Sequence, residues 1–214
     1  MKDLLKEEFI SHYNRNPDLP CEVTIVHQTT EETHFEYEDK KGGGCAKYDN
    51  PHRLFVHIVD YEGFFTSLPP RIKNTIKSIG TEICDLIVYS DNNQYFLLNE
   101  LTNTRPEFIT PFTNLKGQQE GKESKARKQL RQSLEYLIRV PAIEKFIQQF
   151  STKHCCFFSN YPYSPQQTDT NRKINAIEAF NPFLLKNGSY LEDKNIEHFG
   201  FEFWTFSGNQ TYSL

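Results

Sequence analysis

The chain has 214 residues, of which 37% are hydrophobic and 24% are charged. This composition excludes the disordered and fibrous classes and predicts a globular protein, and at about 150 residues per domain the length predicts one domain over residues 1–214. The net charge of −4 argues against a protein that coats nucleic acid non-specifically, although it leaves room for a local basic face.

The sequence shows no pattern of a membrane span or a secretion signal. Its apolar runs fall short of the ~20 residues of a transmembrane helix, and residues 1–14 carry acids where a signal peptide would be apolar. We therefore expect a soluble, cytoplasmic protein with no membrane partner. The five cysteines are odd in number and lack CxxC spacing, which indicates reduced structural thiols rather than disulfides or zinc ligands.

The first part of the chain alternates helical and extended patterns. Apolar residues at helical spacing predict a helix over residues 2–14. Three runs of strand composition follow, separated by polar and glycine-rich stretches, and predict an antiparallel meander. These strands are expected over residues 21–28, 34–41 and 53–60. Residues 61–70 are predicted to be irregular, and Pro69-Pro70 is expected to open a helix over 71–80.

Two apolar strands around a short polar turn form the most informative region. The runs at 83–90 and 94–101 predict a central β-hairpin, because only Asp91-Asn92-Asn93 separates them and asparagine favours tight turns. Residues 103–121 are polar and are predicted to form a loop.

The second half combines helices and strands. Periodic apolar positions over 122–139 predict a long amphipathic helix with Ala126, Leu130, Leu134, Leu137 and Ile138 on one face. Pro141 ends it, and a second helix is expected over 142–150. The remaining predicted elements are a buried strand over 153–160, a polar loop, a helix over 174–185 and a last strand over 199–206. This order predicts an α/β fold with a mixed or largely antiparallel central sheet flanked by helices.

Asp85 and Glu100 are charged residues within otherwise apolar strands, which is costly unless something satisfies them. If Asn92-Asn93 forms a two-residue turn, the numbers of paired residues sum to 185, and Asp85 lies opposite Glu100. A shift of two residues leaves them on one face, whereas an odd shift separates them.

Two opposed carboxylates repel each other, so the pair indicates either a bound divalent cation or a raised pKa. Mg²⁺ or Mn²⁺ takes carboxylate oxygens and keeps waters that can engage a phosphate. A purely structural interpretation is equally open: Asp85 bonds the backbone at a strand end, and Glu100 pairs with a lysine or arginine.

The helix over 122–139 is basic on its polar side. Lys125 and Gln129 lie one turn apart on the same face, so an ammonium and an amide point the same way. This side could face phosphates, or it could be only the solvated side of the helix. Its basic residues are Lys122, Lys125, Arg127, Lys128 and Arg131.

The order of these elements resembles that of the PD-(D/E)xK, or restriction-endonuclease-like, nuclease superfamily. It consists of a strand with an Asp, a hairpin to a strand with a Glu, and a helix with the pattern K-A-x-x-Q-L. The resemblance covers about residues 80–160 and is carried by Asp85, Glu100, Lys125-Ala126 and Gln129-Leu130. It implies a mixed sheet flanked by helices and a Mg²⁺ or Mn²⁺ held by the two acids. It also implies that an acid of the first helix, here Glu8, often joins the site.

The sequence departs from this family at Thr102, where the family has a lysine that orients and activates water. Lys125 and Arg105 are candidates to supply the missing charge. The first function hypothesis is a metal-dependent nuclease acting on DNA, with Asp85, Glu100, Lys125 and Gln129 in its site. A homodimer is a further expectation, since many such nucleases act as dimers.

Two other hypotheses stay open. One is a catalytically degenerate member of the fold that binds nucleic acid or protein, with Thr102 marking the lost activity. The other is an unrelated interaction protein whose acids are structural and whose contact surface is the aromatic tail or the loop over 160–172.

Overall fold

The structure, a computed structural model, describes residues 1–16, 19, 21–39, 43–76, 82–114, 117–159 and 188–214. Its helices are α1 (residues 2–13, π-helical at Leu5–Phe9), α2 (Tyr61–Ser67), α3 (Pro70–Ile76), α4 (Lys122–Ile138), α5 (Pro141–Ile147) and α6 (Lys194–Glu197). Its first six strands are β1 (His27–Thr30), β2 (His34–Glu38), β3 (Cys45–Asp49), β4 (Val56–Asp60), β5 (Leu86–Ser90) and β6 (Tyr95–Thr102). The others are β7 (Phe112–Asn114), β8 (Gly117–Gln119), β9 (Thr152–Ser159), β10 (Ser189–Leu191), β11 (Glu202–Ser207) and β12 (Tyr212–Ser213).

The architecture is mixed α/β, with a large mixed sheet flanked by helices. Within the described residues this sheet has seven strands in the order β1-β4-β5-β6-β9-β11-β10. The first four strands in this order, β1, β4, β5 and β6, pair antiparallel with one another. Strand β9 pairs parallel with both β6 and β11, and the edge strand β10 pairs antiparallel with β11. Helix α4 connects β6 to β9, as a parallel connection requires.

The central hairpin has the register that the sequence predicts. Leu86 pairs with Asn99 and Tyr89 with Phe96, so paired residue numbers sum to 185. Asn93 has a φ of 57°, a left-handed conformation that asparagine adopts more readily than most residues. The register over β5 and β6 is therefore even. The ladder ends at the pair Leu86–Asn99, so the expected pairing of Asp85 with Glu100 lies just beyond it.

The central strands are buried on both sides, which explains their continuous apolar runs. On β5, Ile87 and Tyr89 join the larger apolar cluster, whereas Leu86 and Val88 join the smaller one on the other face. Each of the helices α1 to α6 contributes side chains to the larger cluster. The smaller cluster lies against a second sheet, in the order β12-β3-β2.

Helix α4 packs through the predicted apolar stripe, and its range of Lys122–Ile138 matches the expected helix to within one residue. The fully buried members of the stripe include Leu130, Leu134 and Leu137, and Ile138 packs against the same cluster. The following helix α5 begins at Pro141, a position where the missing amide hydrogen costs nothing.

Three interpretations of the first part of the chain were wrong. The expected meander over 21–60 does not form, because β2 pairs with β3 in the separate small sheet while β1 pairs with β4. Strand β3 itself lies in a stretch interpreted as a glycine-rich connection. The segment interpreted as irregular contains α2, which Asp60 caps by accepting a hydrogen bond from Gly63 N–H at 2.6 Å.

One predicted loop contains strands, and two other predicted elements lie outside the residues that the structure describes. The predicted loop over 103–121 contains the small β7–β8 hairpin. The loop over 160–172 and the helix over 174–185 lie outside the described residues. Among the described residues, no helix has both the length and the apolar character to cross a membrane.

Candidate functional site

Asp85 and Glu100 meet at the end of the hairpin away from its turn. Asp85 directly precedes β5, and its N–H donates to the Asn99 carbonyl at 3.0 Å. This bond is one residue out of the register of the ladder, in which Asn99 pairs with Leu86. The Asp85 Oδ2 accepts a hydrogen bond from the Leu101 N–H at 2.7 Å. Asp85 is therefore bonded on both sides of Glu100, through its backbone N–H to Asn99 and through its carboxylate to Leu101.

Glu100 is buried and incompletely satisfied. Its Oε2 has no hydrogen-bond partner among the described residues. Burial, followed by repulsion from Asp85, raises the pKa of Glu100 to about 10, whereas hydrogen bonding by the Gln129 amide and the charge of Lys122 oppose the rise. Glu100 is therefore protonated at neutral pH unless a cation replaces the proton.

The pKa of Asp85 is also raised, by a smaller amount. Burial raises its pKa to about 7, and the Leu101 hydrogen bond opposes the rise. The carboxylates of Asp39, Glu62 and Asp60 raise the pKa further because they place negative charge nearby. Both acids of the pair therefore have pKa values above their ordinary range.

Asp85 also lines an acidic cleft of about 530 Å³ between β2, the start of α2 and the start of β5. The described residues that line it include no lysine or arginine. Its carboxylates are Glu36, Glu38, Asp39, Asp60, Glu62 and Asp85.

The sequence analysis missed Glu62 because it lies in the segment interpreted as irregular. Tyr61, Phe64 and Phe65 are spaced three and four residues apart behind the potential cap Asp60, and this pattern could have revealed the helix. Glu8, which the resemblance suggested, is exposed on α1 and is not among the residues that line the cleft.

Polar residues of α4 hold the segment that leads into Asp85. Gln129 donates from Nε2 to the Ile83 carbonyl at 3.0 Å, and the Ser133 hydroxyl accepts the Cys84 N–H at 2.8 Å. Gln132 accepts the Glu82 N–H at 3.0 Å. Gln129 thus contacts both the approach to Asp85 and the Glu100 carboxylate, which makes it a positioning residue for the pair.

The basic residues of α4 divide into two groups. Three are engaged within the protein: Arg127 pairs with Glu123 and Asp193, Lys128 with Glu120, and Arg131 with Glu135. Lys122 and Lys125 are exposed and have no ion pair among the described residues. Lys122 is close enough to lower the pKa of Glu100, a role that the sequence analysis did not assign to it.

Thr102 occupies the position of the family's lysine and is integrated into the protein. It is buried, and its hydroxyl shares a hydrogen bond of 2.8 Å with that of Thr104. A Cβ on Gly44 would lie 2.5 Å from the Thr102 nitrogen, so the backbone of the β2–β3 connection packs directly against this residue. Arg105, the other candidate cation, is exposed and lies 4.0 Å from Glu107.

The donor set suits a hard divalent cation bound by few protein ligands. No group of three or more His, Cys, Asp or Glu residues within the described ranges could hold a metal. Mg²⁺, however, is commonly held by one or two carboxylates and keeps several waters. The unpartnered Oε2 of Glu100 and the nearby Asp85 carboxylate fit that requirement, since a cation would offset both the cost of burying a charged Glu100 and its repulsion from Asp85.

Comparison with models of protein families, with curated proteins and with solved structures gives no match for this chain. The functional argument therefore depends on the geometry and electrostatics of the chain itself.

Proposed function

We propose that this chain is a metal-dependent nuclease that hydrolyses phosphodiester bonds in DNA, with Asp85 and Glu100 as the ligands of Mg²⁺ or Mn²⁺. The observation that carries the proposal is the pair itself: two buried acids at the open end of the hairpin, close enough to repel each other, with one oxygen of Glu100 left without a partner among the described residues. A pair this costly is expected where a cation is meant to bind.

The remaining residues have distinct roles in this proposal. Gln129 fixes the Glu100 carboxylate and the entry to β5, so both acids keep their orientation when substrate arrives. Lys122 and Lys125 supply the positive charge that attracts the phosphate backbone. When bound, the metal would polarise the phosphoryl oxygen and lower the pKa of the attacking water.

The order of elements supports the restriction-endonuclease-like assignment. The Asp-bearing strand β5, the Glu-bearing strand β6, the helix α4 with Lys125 and Gln129, and the following strand β9 occur in the order that the resemblance implies. We interpret this coincidence of motif and topology as support for a distant relation to that superfamily.

Metal binding is tested by thermal unfolding with Mg²⁺, with Mn²⁺ and with EDTA. The wild type should melt at a higher temperature with metal, because a ligand that binds only the folded state stabilises it. Asp85→Asn and Glu100→Gln should abolish this increase. Glu31→Gln is the matched control. Glu31 directly follows β1, whose last residue Thr30 pairs with Val56 at the start of β4, so Glu31 lies at the end of the sheet opposite to Asp85 and Glu100. An equal metal effect in all variants would refute the metal site.

Cleavage is then measured on single-stranded, duplex and branched DNA and on RNA in both metals. Activity in the wild type and in Glu31→Gln, together with background activity in Glu100→Gln, is the expected result. Absence of cleavage on every substrate would refute the nuclease proposal even where metal binds.

Thr102 favours a second function, a catalytically degenerate module that binds nucleic acid or protein. Threonine supplies no positive charge to stabilise attacking hydroxide, and its hydroxyl is already bonded to Thr104. Metal binding and DNA binding without cleavage would support this alternative over the nuclease.

A further inference from the structure

A pocket of about 370 Å³ opens beside the start of α4 and is distinct from the acidic cleft. It lies between the short turn after β6, the β7–β8 hairpin and the first two turns of α4. The described residues that line it are Thr104, Phe108, Phe112, Asn114, Gln119, Glu120, Lys122 and Lys125.

The pocket is positively charged on balance. Lys122 and Lys125 line it and are exposed, whereas the one acid among the described lining residues, Glu120, is bonded to Lys128 at 2.7 Å. Because Lys128 neutralises Glu120, the two lysines dominate the field of the pocket. An anionic ligand is therefore favoured here and is disfavoured in the acidic cleft.

The pocket also offers an aromatic surface. Phe108 is 38% exposed, although a phenylalanine usually buries its ring, and it packs against the Phe112 ring at a centroid distance of 4.8 Å. An exposed ring beside two ammonium groups is the combination that binds an unpaired nucleotide, because the base stacks and the phosphate is attracted by charge.

The pocket wall is fixed in place by the backbone. Glu123 N–H donates to the Ile109 carbonyl at 3.0 Å, which ties the turn carrying Phe108 to the helix. A Cβ on Gly121 would overlap that same carbonyl oxygen, so only glycine permits this approach. The backbone segments that carry the aromatic ring and the lysines are therefore held against each other without a ligand.

We propose that this pocket is a binding subsite for an unpaired nucleotide, so that the substrate is single-stranded DNA or a single-stranded segment next to the Asp85–Glu100 pair. The inference depends on the proposed nuclease function and specifies its substrate. A direct contact connects the pocket to that pair: the hydroxyl of Thr104, which lines the pocket, shares a hydrogen bond of 2.8 Å with that of Thr102, two residues after Glu100 on β6.

The test is direct binding in EDTA, which separates it from cleavage. Fluorescence anisotropy is recorded with a labelled oligothymidine of about 15 nucleotides, with its duplex form, and with an oligouridine of equal length. We expect the wild type to prefer the single strands. Phe108→Ala should weaken single-strand binding about tenfold, the loss of one stacked base, and leave duplex binding nearly unchanged.

Two matched controls isolate the pocket. Phe55→Ala removes a phenylalanine that is 39% exposed and pairs with His57 elsewhere on the surface, and it should leave binding unchanged. Lys122→Ala and Lys125→Ala should each reduce the slope of log affinity against log salt by about 0.7, whereas Lys128→Ala should reduce it less. Equal effects of the pocket and control variants, or no preference for single strands, would overturn the inference.

The two proposals fail in distinguishable ways. Single-strand binding that depends on Phe108 without cleavage in any metal removes the nuclease but keeps the subsite. Metal-dependent cleavage with binding insensitive to Phe108, Lys122 and Lys125 keeps the nuclease and removes the subsite.

Discussion

Glu100 is held in a position that penalises its charge. It lies on a strand whose neighbours on the same side, Phe96 and Leu98, belong to the larger apolar cluster. The folded protein therefore favours the protonated form, and the unfolded chain favours the ionised form at neutral pH. This difference connects protonation to folding, and its sign can be measured without knowledge of any substrate.

We predict that, without metal, the protein becomes less stable as the pH rises. The folded state keeps a proton on Glu100 up to a pKa of about 10 and on Asp85 up to about 7, whereas the unfolded chain releases both near its ordinary pKa. Because the folded state binds more protons in this interval, the free energy of unfolding falls through it. Glu100→Gln should raise that free energy at pH 8 by about 1–3 kcal/mol.

Urea unfolding in EDTA between pH 5 and about 9 measures this effect, because its midpoint tracks stability. Glu31→Gln is again the control and should follow the wild type. A wild-type stability that rises with pH over this range would contradict the assignment of raised pKa values to the pair.

At the scale of elements, the sequence predicted best where local and long-range signals agree. The hairpin register followed from the asparagine turn and from two apolar runs that are buried on both faces. Helix α4 followed from its periodic stripe. Strand β3 was missed because it alternates buried Ala46 and Tyr48 with half-buried residues directly after three glycines. Its pairing with β12, more than 160 residues away, leaves no local signal.

The residues of the candidate site were also predicted only in part from the sequence. Asp85 and Glu100 were predicted because an acid in an apolar strand is conspicuous. Glu62 was missed, and Lys122 was named only as one of five basic residues on its helix. An acid or a lysine at the start of a helix is ordinary in sequence and becomes notable only through its neighbours. Only the fold brings those neighbours together.

We predict that Ser133 connects α4 to the metal site. Its hydroxyl accepts the Cys84 N–H and donates to the Gln129 carbonyl, so Ser133→Ala leaves a buried N–H without a partner. The variant should lose about 1–3 kcal/mol of stability, and the melting-temperature increase with Mg²⁺ should also shrink because Asp85 follows Cys84.

Ser124→Ala on the same helix removes only a bond to Glu120 and should change neither quantity. A stability loss with an undiminished metal effect would show that Ser133 has no role in the site.

On the scale of the whole molecule, two pockets of opposite charge are connected to the carboxylate pair. The acidic cleft lies at the start of α2 and β5, and the pocket with Lys122 and Lys125 lies at the start of α4. Asp85 lines the cleft, and Glu100 is influenced by Lys122. A phosphate backbone would be repelled from the cleft and attracted to the pocket, so we expect substrate to approach the carboxylate pair from the α4 side.

Metal affinity should then depend on pH in the direction opposite to metal-free stability. A cation must displace the protons that Asp85 and Glu100 hold, with pKa values of about 7 and about 10, so its affinity should increase with pH between about 6 and 9. At a fixed Mg²⁺ concentration, the increase in melting temperature over the EDTA sample should therefore become larger across this range. Differential scanning calorimetry in paired samples measures it, and Asp85→Asn should show no increase at any pH. A metal effect in the wild type that stays constant with pH would mean that the cation binds elsewhere, because a site formed by these two acids has to exchange protons for metal.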